Sequence, residues 1–262
     1  MAEQINPEND NAVELEEPGT QQRKRGIYIL PNLFTTGSLF SGFYGIVASM
    51  NQHFILGAIA VFICLIFDSL DGRVARLINA QSAFGAQYDS LSDLLAFGVS
   101  PALLVYNWSL ADLVQFGVHK IGWLTAFIFV ACVAMRLAKF NTLPEDKRFF
   151  FGLPCPAAAA VLAGVVWVGS TYDLSGLPIS LITMVIVLTL SFLQVSNIRY
   201  RSYKDIDLKA NVRFTVLVLM MLALVCISYR PAQALFLLFV GYALTGPING
   251  LISLKNKRQK SA

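Results

Sequence analysis

Charge is what this chain has least of. Only 14% of its 262 residues are Asp, Glu, Lys or Arg, against 56% hydrophobic, a balance too apolar for a soluble domain of this length. Cysteine is sparse as well. Cys64, Cys132, Cys155 and Cys226 show no C-x-x-C spacing and have no histidine nearby in sequence, so they read as small core residues and exclude a thiolate metal site. The first 22 residues are acidic and polar and lack an apolar stretch behind a short basic start. That excludes a cleaved signal peptide and predicts a disordered tail.

What fills the chain is hydrophobic runs. A membrane-spanning helix needs roughly 20 mostly apolar residues, and eight runs qualify, at about 33–50, 54–79, 87–108, 120–140, 155–171, 178–198, 212–229 and 231–253. The expectation is an all-α, polytopic membrane bundle. With both termini cytoplasmic, eight spans put 18 of the 20 Lys and Arg residues inside and leave only Lys120 and Arg230 outside, as the positive-inside rule asks. The net charge of +4 is then a membrane signature and gives no reason to invoke nucleic acid. Residues 22–30, QRKRGIYIL, suit a short helix at the lipid headgroups. His53 and His119 fall on the outer side and are assigned no chemistry.

The rule against charge inside a span is broken in one place. Ionisable groups there cost at least about 2.5 kcal/mol each, so a cluster of them is a functional hypothesis by default. The second run is apolar from Phe54 to Phe67 and then reads Asp68-Ser-Leu-Asp71-Gly72, while the third opens with Asp89-Ser-Leu-Ser-Asp93. Spacings of three and four residues put each pair on one helix face, and a short link makes the two helices antiparallel neighbours. Four carboxylates gathered in a low dielectric repel one another, and a hard dication resolves the conflict. An all-oxygen ligand set points to Mg2+ or Mn2+, with Ca2+ a poorer fit. Gly72 and Gly85 remove side chains close to the acids and Ala75 extends the smooth strip, so a bulky group such as a nucleotide can approach.

Asp68, Asp71, Gly72, Ala75, Arg76, Gly85, Asp89 and Asp93 fill every position of the pattern D-x2-D-G-x2-A-R-x8-G-x3-D-x3-D, and here the sequence closely resembles the CDP-alcohol phosphotransferase family. The resemblance implies a six-helix core, to which residues 211–254 would add two C-terminal membrane helices, with 1–22 and 255–262 as cytoplasmic tails and 23–210 as the catalytic membrane domain. It also implies a reaction in which a CDP-linked donor passes its substituted phosphoryl group to an alcohol and releases CMP. In that reading Asp68, Asp71 and Asp89 hold metal and diphosphate, and Asp93 is the general base, also close to a metal. Gly72, Ala75 and Gly85 pack against the cytidine side of CDP-diacylglycerol, and Arg76 orients the acids or the diphosphate. Asn32 and Thr35 sit at the depth of the nucleotide, where capping of a helix start is the equal alternative. Similar proteins are homodimers.

The stretches RLAKFN, FFFGLPCPAAA and SNIRYRSYKDIDLK resemble the phosphatidylserine synthase branch of that family and make L-serine the leading acceptor. Serine presents a carboxylate and an ammonium; Arg136, Lys139 and Asn141 offer matching groups, Arg136 being the better carboxylate clamp. Glycerol 3-phosphate or inositol as acceptor is the alternative within the family, and an ion-coupled transporter the alternative outside it. The expected location is the bacterial inner membrane, with the site facing the cytosol and open to membrane lipid from the side. Pro101 is expected to kink the third span, and Gly37, Ser41 and Gly45 to mark a close helix contact.

Overall fold

The computed structural model describes residues 29–78, 82–116, 120–142, 149–196, 198–201 and 214–260. The tail expected over 1–22 and most of the headgroup helix expected over 22–30 lie outside them, as do His119 and Lys204.

Helix α1, Ile29–Met50, and helix α2, Phe54–Leu77, form the first hairpin. Small residues let them touch. A Cβ on Gly37 would stand 3.3 Å from the Phe67 ring, and one on Gly45 would stand 2.8 Å from Ser100 Oγ. Ser41 Oγ donates to the Ala60 carbonyl at 2.9 Å. The stripe expected from Gly37, Ser41 and Gly45 is thus a packing seam.

The third hydrophobic run is helical throughout but changes its winding. Helix α3, Ala83–Asp93, passes into a π-helical turn, Leu94–Val99, and then into helix α4, Ser100–Trp108. Within that turn the Ser100 amide bonds to Leu95 O, five residues back. Pro101 opens α4 directly after this turn, so the helix is disturbed beside the proline expected to kink it, in the form of a widened turn. A proline ring collides with the carbonyl four residues earlier and offers no N–H; widening the preceding turn accommodates both.

A short 3-10 segment, Leu110–Phe116, leads to helix α5, Ile121–Thr142, followed by helices α6, Cys155–Thr171, and α7, Leu177–Val195. Helix α6 is the central post: Ala158, Ala159, Ala160, Leu162, Ala163 and Val166 have no exposed surface. A helix apolar all round belongs in such a position, and its alanines let α2 and α9 approach. Helices α8, Phe214–Tyr229, and α9, Pro231–Lys260, close the chain, α9 continuing past the expected limit of 253. Five helical segments among the described residues, Pro31–Met50, Phe54–Leu77, Ile121–Thr142, Leu177–Val195 and Pro231–Ile248, are long and apolar enough to cross a membrane. The other three expected spans are helical too, one divided by the π turn and two only 17 and 16 residues long. The all-α polytopic bundle is therefore as expected.

One feature was not legible in the pattern. Strand β1, Phe149–Phe151, pairs antiparallel with β2, Arg199–Arg201, and ties the chain before α6 to the chain after α7. Gly152 follows β1 with φ +78°, and its amide reaches Ile198 O at 2.9 Å. A Cβ there would fall on the Gln194 carbonyl, so both the left-handed backbone and the close approach require glycine.

Candidate active site

The four aspartates of the motif stand on two helices that meet at the end of the bundle where α1 begins. Helix α3 starts cleanly because Ser82 caps it: its Oγ accepts from the Gly85 amide at 2.9 Å, filling one of the free donors of the first turn. With α3 so registered, Asp89 reaches the acids of α2. Asp68, Asp71 and Asp89 each offer a carboxylate oxygen, all within 4.8 Å of one another. Asp71 is buried and held by Thr35, whose Oγ1 donates to Asp71 Oδ2 at 3.1 Å. Asp93 stands beside this trio, its carboxyl within hydrogen-bonding reach of Asp68.

Asp89 Oδ1 is buried with no hydrogen-bond partner. A buried carboxylate oxygen left bare is costly and points to a missing partner. A cation would suit it, because its neighbours are two more carboxylates. The donor set is oxygen alone, so a small hard dication such as Mg2+ or Mn2+ fits it.

Around the acids the expected residues take several places. Thr35 is part of the cluster through Asp71, its Oγ1 also standing 3.2 Å from the Pro31 carbonyl, and its own carbonyl accepts from Ser92 Oγ at 3.1 Å. Asn32 faces α3, its Oδ1 3.6 Å from where a Gly85 Cβ would be. Gly72 is open: a Cβ there would meet only Arg76 Nη2, at 4.0 Å. Ala75, half-buried, continues that strip. Arg76 is exposed and folds back along α2, its Nε donating to Gly72 O at 2.7 Å.

The three residues expected at an acceptor site do not behave alike. Arg136 is buried, with Nη1 donating to Cys155 Sγ at 3.3 Å and the guanidinium 4.7 Å from the Phe140 ring centroid. Lys139 is exposed, as is Asn141, whose Nδ2 donates to Ser90 Oγ at 3.0 Å and so touches the residue next to Asp89. Cys155, the acceptor of the Arg136 bond, stands at the start of α6 and so ties α5 to α6.

Two contributors had little signal in sequence. Tyr88, which shares a 2.9 Å hydrogen bond with Thr36, and Cys155 pair with residues on other helices. A cavity of about 560 Å3 lies at the opposite end of the bundle, lined by His53, Trp108, Ser170 and Asp173 among others, and none of the motif acids line it.

Comparison with known proteins bears on the same region. A family model described as CDP-alcohol phosphatidyltransferase matches residues 28–193. A Helicobacter pylori protein named CDP-diacylglycerol–serine O-phosphatidyltransferase is 40% identical over 228 residues, covering 86% of this chain and 92% of its own. A protein of the same name from Methanocaldococcus jannaschii is 37% identical over 145 residues, 55% of this chain and 63% of its own. An archaetidylserine synthase from Methanothermobacter thermautotrophicus is 34% identical over 173 residues, 65% and 69% of the two chains.

Proposed function

The chain belongs to the CDP-alcohol phosphatidyltransferase family, and from that premise we propose that it transfers the phosphatidyl group of CDP-diacylglycerol to the hydroxyl of L-serine, giving phosphatidylserine and CMP. The observation that carries the reaction class is the convergence of Asp68, Asp71 and Asp89 from two helices to within 4.8 Å. Serine as acceptor draws its support from the relatives, whose names specify serine or archaetidylserine, and from a buried arginine, Arg136, whose guanidinium suits a carboxylate.

In this mechanism Asp68, Asp71 and Asp89 hold the cation, and Thr35 keeps Asp71 turned toward it. Bound there, Mg2+ or Mn2+ supplies positive charge against the diphosphate. Asn32, Gly72, Ala75 and Gly85 form the smooth wall for the cytidine side of the donor, with Arg76 at its edge. Arg136 takes the serine carboxylate, Asn141 and Lys139 lying toward the entrance. Asp93 accepts the serine hydroxyl proton as the oxygen forms its bond to the phosphorus bearing diacylglycerol; the bond from that phosphorus to the CMP oxygen breaks, and CMP leaves. The reading includes a cytosol-facing site in a bacterial inner membrane, supported by the segregation of basic residues, with residues 23–210 as the catalytic membrane domain, 211–254 as an added helix pair and a homodimer as the working unit.

Two variants separate the substrate sides. Gly72→Leu, at an exposed position with open space, leaves the fold intact and is expected to raise the KM for CDP-diacylglycerol by on the order of tenfold or more, since about 1.4 kcal/mol of lost contact suffices; unchanged donor affinity refutes close approach there. Arg136→Ala is expected to raise the serine KM at least about tenfold, the loss of a charged hydrogen bond being worth about 1.5–3 kcal/mol, with the donor KM little changed. The reverse pattern moves Arg136 to the donor site.

The reading as a whole is tested by CMP release from CDP-diacylglycerol by the purified protein. It predicts release that requires serine and Mg2+ or Mn2+ and stops with chelator. Release driven by glycerol 3-phosphate or inositol instead assigns another acceptor. Solute uptake by sealed vesicles with no CMP release assigns a transporter.

A further inference from the structure

Gln194 is the last buried residue of α7 and is 2% exposed, yet neither its Oε1 nor its Nε2 has a hydrogen-bond partner. An amide carries a donor and an acceptor, and burying both unpaired inside an apolar helix is an arrangement that calls for an explanation. Arg136 Nε is buried and unpartnered in the same way.

Each of these two residues ends the buried stripe of one of two neighbouring helices. Helices α5 and α7 pack side by side and run in the same direction. The buried stripe of α5 passes through Phe129 and Val133 to end at Arg136, and that of α7 passes through Val187 and Leu190 to end at Gln194. The segment from Gly152 to Cys155 joins the two ends. Gly152 packs on the Gln194 carbonyl, the Leu153 amide bonds to Leu193 O at 3.0 Å, and Cys155 Sγ accepts from Arg136.

We propose that Gln194 is a second acceptor-recognising residue, its amide completing with Arg136 a site for the paired ammonium and carboxylate of an amino-acid acceptor. This rests on the serine reading above and extends it to selectivity. Oε1 is a neutral acceptor suited to an ammonium, and Nε2 adds a donor for the carboxylate. A polar site built to pair a substrate group rejects analogues that lack it, because its own atoms are then left bare.

The test compares serine with 3-hydroxypropionate, which keeps the hydroxyl and carboxylate and lacks the ammonium, using the full chain in lipid–detergent micelles. Gln194→Met is expected to lower the ratio of kcat/KM for serine over 3-hydroxypropionate by about tenfold, on the scale of one lost polar contact, while the KM for CDP-diacylglycerol stays within about twofold. A merely structural role would depress both acceptors together and leave that ratio unmoved, which would overturn the proposal. Gln194→Glu keeps an oxygen for the ammonium and is expected to retain the ratio; its collapse there also overturns it. Should Gln194→Met yield no folded protein, Gln194→Ala carries the same two outcomes. A wild-type protein that releases no CMP in response to serine defeats the parent reading, and this one with it; a serine-dependent wild type with an unmoved ratio defeats this one alone.

Discussion

Asp93→Asn is expected to lower kcat by about 10²–10⁴-fold, the range a positioned general base contributes, while CDP-diacylglycerol and the divalent cation still bind. Asp93 lies on the same face of α3 as Asp89, one turn further along, and is not one of the three carboxylates that converge within 4.8 Å. Replacing it therefore leaves that trio intact. Asparagine has the same shape and keeps a hydrogen-bonding group toward Asp68, so the loss falls on proton acceptance rather than on packing. Single-turnover CMP release alongside equilibrium donor binding separates the two effects. Near-native turnover in the variant rejects Asp93 as the base.

Asp71→Ala has the second large consequence and a different signature. Asp71 is the most buried of the trio and is fixed by Thr35 at 3.1 Å, so it is the ligand with the least freedom to be replaced by a neighbour. Its loss is expected to reduce activity on the order of a hundredfold or more, several kcal/mol of charge stabilisation being at stake, and to abolish stimulation by Mg2+ across the usable concentration range. Thr35→Val, which removes the hydroxyl holding Asp71, is expected to show a milder version of the same shift, seen as a higher Mg2+ requirement. A variant at position 71 that retains full Mg2+ stimulation counts against the ligand assignment.

The aspartates were legible because membrane helices make charge conspicuous. Asp68, Asp71, Asp89 and Asp93 stand in otherwise apolar runs, and local spacing alone fixes which face each pair shares. The short link then leaves little choice about which helices meet. The openness at Gly72 was readable for a similar reason, a glycine at a fixed offset from an acid. What escaped depends on partners distant in sequence. Arg136 was singled out as a carboxylate clamp, but its bond to Cys155, at the start of the next helix, was not foreseen. Nor was the bond of Asn141 to Ser90, which links α5 to α3. The pairing of β1 with β2 joins residues about 50 apart through two three-residue strands, too short for alternation to announce them. Pro101 was correctly expected to disturb its helix, but whether by a kink or by a widened turn depends on what packs around Ala96 and Phe97, both fully buried.

Binding of Mn2+ to the purified protein, followed by electron paramagnetic resonance without any substrate, addresses the acidic cluster most directly. A bound signal is expected in the wild type and in Asp93→Asn, and its loss in a variant with Asp68, Asp71 and Asp89 all changed to asparagine. Equal Mn2+ affinity in that triple variant, in protein that remains folded, contradicts a shared cation held between α2 and α3.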